Sequence, residues 1–196
     1  MPVLNPTIDR QITGITSPTF TGARDSTSGT VATVATRYAQ AIMYSKVAGA
    51  RGNTISCNRY FIEFDTSGIS VTPADATLSI YGFTNGSADF FPVKATFSDG
   101  TIANADFDAI DGWSAGADNS SNVTKYSSEV TSWSTSGFND ITLNSDALSD
   151  MVSEDNFKIT AGAAGFGHKT IGVASANIGK ISGVATANVG KVIGVD

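Results

Sequence analysis

The sequence predicts an all-β protein, a jelly-roll-like antiparallel β-sandwich with an extended N-terminal arm and a short β-rich repeat at the C-terminus. Three observations support this class. Apolar and polar residues alternate over short runs in the middle of the chain, turn dipeptides separate those runs, and an 11-residue repeat ends the sequence. We divide the 196 residues into the arm (1–30), the β-sandwich domain (31–165) and the repeat segment (166–196).

The N-terminal 30 residues are rich in Thr, Ser, Gly and Pro, and their apolar residues are isolated. This composition is typical of an extended segment without a fold of its own. We therefore predict an arm that lies on a neighbouring molecule, and we expect the β-domain to stay folded when Met1–Asp25 is removed.

The central segment contains five runs with the alternation of half-buried strands. In RYFIEFD, Tyr60, Ile62 and Phe64 share one face, and in FFPVKATF every second residue from Phe91 to Phe97 is apolar. The other runs are ATLSIYGF, NDITLNS and DNFKITAG. Glycine-containing turn dipeptides lie between the runs, and their spacing favours a sandwich over alternating α/β units.

Two further elements are predicted within the same domain. The apolar residues of SDALSDMV have helical spacing behind a capping residue, Asn144 or Ser145, which predicts a helix of one or two turns. We interpret Tyr38–Val47 as an additional strand.

The C-terminal segment repeats every 11 residues: GVASANIGKIS begins at Gly172, GVATANVGKVI at Gly183, and a truncated GVD at Gly194. Each unit alternates apolar residues around an Asn-x-Gly-Lys turn and is too short to bury its apolar face alone. The alternative is a flexible low-complexity tail, which the frequent Ala, Val and Ile disfavour. We predict self-association, with a trimer favoured, through Val173, Ile178, Ile181, Val184, Val189 and Val192.

Charge and hydropathy narrow the classes of partner. The 12 basic and 18 acidic residues give a net charge of −6 without a basic cluster, so we expect no nucleic-acid partner. No stretch of about 18 apolar residues exists to span a membrane, and the N-terminus lacks the pattern of a signal peptide. We expect the chain to be made in a cytosol, without a membrane partner.

The residues most often used in catalysis are scarce. Cys57 is the single cysteine, and His168, the single histidine, lies in the loop GAAGFGHKT. One histidine without a cysteine partner predicts neither a zinc site nor a serine triad, and a lone thiol is more often a small buried apolar residue. We therefore expect no catalytic residue, no enzymatic activity and no cofactor.

An acidic cluster in NADFDAIDGW leaves two alternatives open. If Phe107 and Ile110 pack as a helical turn, Asn104 or Asp106 is its cap and the other acids are solvated. If the segment is a loop, its oxygens could hold Ca²⁺. The residues concerned are Asn104, Asp106, Asp108 and Asp111, with Asp118 or Asn119 as further ligands of the ion.

Three aromatic residues lie in a polar stretch, and they are candidates for stacking on a cell-surface glycan: Trp113, Tyr126 and Trp133. The alternative, which large rings in small β-domains favour, is that the two tryptophans fill the ends of the sandwich.

The runs over Arg59–Thr160, from RYFIEFDTSGIS and ATLSIYGF through ADFDAIDGW to the strand NDITL, resemble the jelly-roll modules of the DNRLRE type, found in surface and phage structural proteins. The ending GVASANIGKISGVATANVGKVIGV is similar to repeated endings of phage structural and tail proteins. The resemblance implies a place on a virion and no catalytic residue.

These expectations combine into a non-enzymatic structural protein of a bacteriophage virion, assembled in the host cytoplasm as a capsid decoration (cement) or tail-fibre subunit. It would bind itself, as a homo-oligomer, and other virion proteins through its terminal arms. The alternative is a carbohydrate-binding adhesin or receptor-binding tail module.

Overall fold

The structure, a computed structural model, describes residues 3–32, 42–49, 52–82, 91–116 and 121–162, and in the C-terminal segment 169–170, 173–174, 180–181 and 184–185. The chain forms two compact units, Met1–Ala164 and Gly165–Asp196. The elements of the first unit, in chain order, are β1 (Pro6–Gly14), α1 (Phe20–Arg24), β2 (Gly29–Val31), β3 (Ile42–Gly49), β4 (Gly52–Asp65), β5 (Thr77–Tyr81), β6 (Phe91–Lys94), a 3₁₀ helix (Asn104–Asp108), β7 (Phe138–Thr142), α2 (Ser145–Ser153) and β8 (Asn156–Gly162).

Six of these strands form one sheet in the order β2-β1-β4-β8-β6, with β3 also paired to β4. β4 holds β1 along one edge and both β3 and β8 along the other, since Arg59 pairs with Ile12 of β1 and with Ile42 of β3. β5 and β7 form a separate two-stranded sheet. Every ladder between the described strands is antiparallel, which confirms the predicted all-β class.

The central strand β4 is covered on both faces. Phe61 packs in a cluster with Phe107, whereas Phe64, on the opposite face, packs in a cluster with Phe157 of β8. Phe61 and the carboxylate-bearing Glu63 are both buried. The sequence predicts a half-buried strand over RYFIEFD. The strand is confirmed, but the prediction that one face is exposed is wrong, because segments distant in sequence cover the second face.

The cluster on the Phe64 face joins the two sheets and α2. Leu78 of β5, Ile141 of β7 and Met151 of α2 pack with Phe157 and Ile159 of β8. These contacts bury the apolar side of the two-stranded sheet and of the helix. The sequence shows both sides, as alternating apolar residues in the strands and as helical apolar spacing in α2.

The helix predicted in SDALSDMV is confirmed as α2. Asn144 is its N-cap, and the side-chain oxygen of Asn144 accepts the N–H of Ala147 at 3.1 Å. The five predicted runs are confirmed as β4, β5, β6, β7 and β8. The strand predicted over Tyr38–Val47 corresponds to β3, Ile42–Gly49, and residues 38–41 lie outside the described residues.

The N-terminal segment is part of the large sheet, which corrects the predicted arm over residues 1–30. β1 pairs with β4 along Pro6–Thr13 and with β2 at its end. Ile12 is 0% exposed, and at Gly14 a Cβ would lie 2.6 Å from the Phe107 ring. The sequence did not indicate this strand because its apolar residues are isolated, and the backbone hydrogen bonds that pair it with β4 leave no side-chain pattern.

The described residues of the second unit form two hairpins. Lys169–Thr170 (β9) pairs with Val173–Ala174 (β10), and 11 residues later Lys180–Ile181 (β11) pairs with Val184–Ala185 (β12). Two residues separate the strands of each hairpin. Lys180 therefore begins a strand rather than ending a turn, and Asn177 and Gly179 of the predicted Asn-x-Gly-Lys turn lie outside the described residues.

Candidate functional site

The guanidinium of Arg59 on β4 lies over two aromatic rings. Its Cζ is 4.2 Å from the ring centroids of both Phe107 and Trp113. It donates hydrogen bonds to the carbonyl oxygen of Phe107 and, at 3.0 Å, to that of Arg24. Only 7% of Arg59 is exposed, and burial lowers its pKa to about 10, so it stays charged at neutral pH. The side chain thus ties α1 and the 3₁₀ helix to β4.

A carboxylate extends this cluster. Asp25 receives two hydrogen bonds from the Arg24 guanidinium, at 2.6 and 2.9 Å, and one from the N–H of Gly116 at 2.7 Å. Burial raises the pKa of Asp25, but these bonds and the charges of Arg24 and Arg59 outweigh it and lower the pKa overall. The cluster thus joins segments that are distant in sequence, and the charged groups of Arg24 and Asp25 are both bonded within the protein.

The acidic segment follows the helical-turn alternative. Phe107 is fully buried in the 3₁₀ helix, and Asp106 accepts the N–H of Ala103 at 2.7 Å. Asp111 accepts a hydrogen bond from the hydroxyl of Thr124 at 2.5 Å. Asp106 therefore caps the helix, as this alternative expects, but the expectation that the other acids are solvated is wrong for Asp111.

Within the described residues, no group of three or more His, Cys, Asp or Glu side chains could hold a metal ion. Asp118 and Asn119, the further ligands considered for the ion, lie outside those residues.

A polar groove of about 300 Å³ lies between β6, β8 and the segment after α2. Lys94 forms ion pairs with Asp150 at 3.1 Å and with Glu154 at 2.5 Å, and Lys158 is paired with Asp99. Because both ammonium groups have acidic partners, the groove offers a ligand mixed polarity rather than a single dominant charge. The groove is lined by Lys94, Asp99, Glu154, Asp155, Asn156 and Lys158, among others.

The three aromatic residues proposed for a glycan do not form one exposed surface. Tyr126 is 0% exposed, packs on Phe157 and donates its hydroxyl to Asp150 at 2.6 Å, so its assignment as a glycan contact is wrong. Trp113 and Trp133 are half-buried and pack against two different core clusters. Both rings therefore contribute to core packing; that they fill the ends of a sandwich stays a prediction.

An exposed aromatic pair occurs elsewhere, on the outer face of the β5–β7 sheet. Tyr81 and Phe138 are directly paired across the two strands, 55% and 68% exposed, with ring centroids 5.2 Å apart and edge to face. The sequence contained a signal for Tyr81, because the alternation with Leu78 and Ile80 places it on the opposite face. Nothing in the sequence indicated that Phe138 would be its partner.

Three of the six proposed assembly residues lie in the described hairpins: Val173 in β10, Ile181 in β11 and Val184 in β12. Ile178, Val189 and Val192 lie outside the described residues, as does His168. In each hairpin, the valine pairs with the last residue of the preceding strand, Thr170 or Ile181. Equivalent positions of the two repeats therefore have equivalent pairing.

Cys57 packs at the edge of the core cluster that contains Ile12 and Phe61. Burial raises the pKa of its thiol from 9.0 to about 11, against the opposing effect of Arg59 and Arg24. The thiol is therefore protonated at neutral pH, which is unlike an activated nucleophile.

We expect Cys57 to react with iodoacetamide at pH 8 roughly 100-fold more slowly in the folded protein than in urea, because two pKa units separate the two thiolate fractions. Mass spectrometry over a time course measures both rates. Equal rates in the folded and unfolded protein would contradict the burial of the thiol.

Among the described residues, no helix is long and apolar enough to cross a membrane. No family model matches the sequence, and no curated protein or solved structure matches it.

Proposed function

We propose that this chain is a non-enzymatic structural protein of a bacteriophage virion, a capsid decoration or fibre subunit with a jelly-roll-like β-sandwich. The observation that carries the proposal is the C-terminal repeat, in which the start of each of the first two units pairs with the residues before it in a hairpin with only two residues in each strand. An isolated two-stranded hairpin is marginally stable in water even at ordinary strand lengths. Such hairpins require apolar neighbours, and other copies of the repeat supply them.

The use of charge in the first unit supports a structural role. Arg59, Asp25 and Lys94 are each engaged with groups from distant parts of the chain. A low charged fraction, 15% of the sequence, also suits a surface that packs against neighbouring subunits. Since β1 belongs to the large sheet, contact with those neighbours falls to the C-terminal segment rather than to two terminal arms.

We expect removal of Thr170–Asp196 to leave the first unit folded and to reduce the mass in solution from that of a trimer to that of a monomer. The large sheet is made of strands of the first unit among the described residues, so the circular dichroism of the first unit should persist. Analytical ultracentrifugation at low protein concentration measures the mass, and co-sedimentation with phage particles measures attachment.

A variant of full length shows whether the apolar side chains of the repeat, rather than its mere presence, are needed for association. In this variant, serine replaces the six proposed assembly residues, and the variant should behave like the truncation. These residues are Val173, Ile178, Ile181, Val184, Val189 and Val192. Identical masses and equal particle binding for all three proteins would show that the repeat has no role in assembly.

The alternative function is a carbohydrate-binding adhesin or receptor-binding tail module, and the exposed pair Tyr81–Phe138 is the observation in its favour. The polar groups beside the pair already form hydrogen bonds within the protein. The Tyr81 hydroxyl donates to the carbonyl of Ser136 at 3.2 Å, and Asn139 bonds both the N–H and the carbonyl of Ser134. Few groups then remain to bind sugar hydroxyls, so we rank this function second; a glycan array tests it.

A further inference from the structure

Within the part of the chain that the structure describes, the outer edge of β5 has backbone hydrogen-bonding groups that no strand uses. Hydrogen bonds from Gly82 N–H to the Gly137 carbonyl and from Leu143 N–H to the Ala76 carbonyl, at 2.8 and 3.0 Å, fix the ladder at its two ends. Antiparallel pairs alternate between bonded and non-bonded, so the amides of Thr77, Ser79 and Tyr81 point away from β7. No other described strand pairs with β5.

The side chains of the same three residues lie on the exposed face of the two-stranded sheet. Thr77, Ser79 and Tyr81 are exposed, while Leu78 between them is buried in the core. With Phe138 beside Tyr81, this face combines an open strand edge with an aromatic surface. An open edge of this kind is a template for another strand, and proteins commonly protect such edges with charge or proline.

The two edges of the sheet differ in charge. The outward residues of β5 are uncharged, whereas Asp140 lies at the centre of β7, hydrogen-bonded by the hydroxyl of Ser79. Antiparallel pairing of two β7 edges about Asp140 would place two carboxylates opposite each other. Pairing of two β5 edges about Ser79 brings no charges together, and it places Tyr81 opposite Thr77 of the second copy, a favourable aromatic and β-branched pair.

We propose that β5 is a self-association edge, at which two copies of this chain pair antiparallel about Ser79 to form a four-stranded sheet β7-β5-β5-β7. The pairing is isologous, so one two-fold axis satisfies both copies. This inference stands independently of the C-terminal repeat and of the virion role. In a protein also held together by its repeats, the edge would link one oligomer to the next.

The test compares two proline variants of the full chain, Ser79→Pro and Asp140→Pro. Each variant removes the same hydrogen bond between the Ser79 and Asp140 side chains. Each also places proline where the backbone nitrogen points out of the sheet, and an edge position of this kind tolerates proline. Only Ser79→Pro blocks the β5 edge. In sedimentation velocity over a concentration series, we expect Ser79→Pro to raise the dissociation constant of pairing at least tenfold and Asp140→Pro to match the wild type.

Equal loss of association in both variants, or a wild-type mass that does not change with concentration, would overturn the proposal. Hydrogen exchange in the wild type keeps the test decisive if a proline variant unfolds. The amides of Ser79 and Tyr81 should become protected as concentration rises while that of Asp140 does not, and unchanged exchange at Ser79 would refute edge pairing. Glycan binding that Tyr81→Ala abolishes, without concentration-dependent pairing, would assign this face to sugars instead.

Discussion

Deletion of Met1–Asp25 is expected to abolish cooperative folding of the first unit. β1 forms seven residue pairs with β4 and separates it from β2, so its loss opens one edge of the central strand. Each lost ladder hydrogen bond contributes about 0.5–1.5 kcal/mol and burial of Ile12 about 1.5–3 kcal/mol. The sum is comparable to the roughly 5–15 kcal/mol that stabilises a whole domain.

Thermal unfolding followed by circular dichroism, with amide dispersion in NMR spectra, measures this effect. The matched control removes only Met1–Leu4, which precede β1; Val3 and Leu4 are exposed, so stability should change by no more than about 0.5 kcal/mol. A cooperative transition in the Met1–Asp25 deletion would restore the interpretation of this segment as a separate arm.

Replacement of Arg59 by alanine should lower the free energy of unfolding by about 3–5 kcal/mol. The change removes a hydrogen-bond donor to the carbonyl oxygens of Phe107 and Arg24, removes a cation from over two rings and creates a cavity beside Trp113. Arg59→Lys keeps the charge but loses the planar contact and the forked donors, so we expect an intermediate loss of about 1–2 kcal/mol.

Urea denaturation of the three proteins gives these differences. Arg10→Ala is the matched control, because Arg10 is half-buried and its guanidinium donates to the carbonyl of the adjacent Asp9 at 2.8 Å. The loss for this variant should stay below about 1 kcal/mol. An Arg59→Ala protein within 1 kcal/mol of the wild type would contradict the role of the cluster in joining α1 and the 3₁₀ helix to β4.

The site was less predictable than the elements. Tyr126, Trp113 and Trp133 are close in sequence, yet one is fully buried and the other two belong to different core clusters. The exposed pair joins Tyr81 and Phe138, which are 57 positions apart and meet only through the register of β5 with β7. Sequence proximity in a polar stretch therefore gave no guide to which rings share a surface.

The sequence by itself determined the all-β class, five strands, the capped helix α2 and the 11-residue period, because alternation, capping and repetition are local properties of the chain. The tertiary structure decided that β1 is a strand of the large sheet and that Arg59 lies over Phe107 and Trp113. It also decided that both faces of β4 are covered. The physical reason is that strand pairing and burial depend on partners far away in sequence, and local side-chain patterns do not specify those partners.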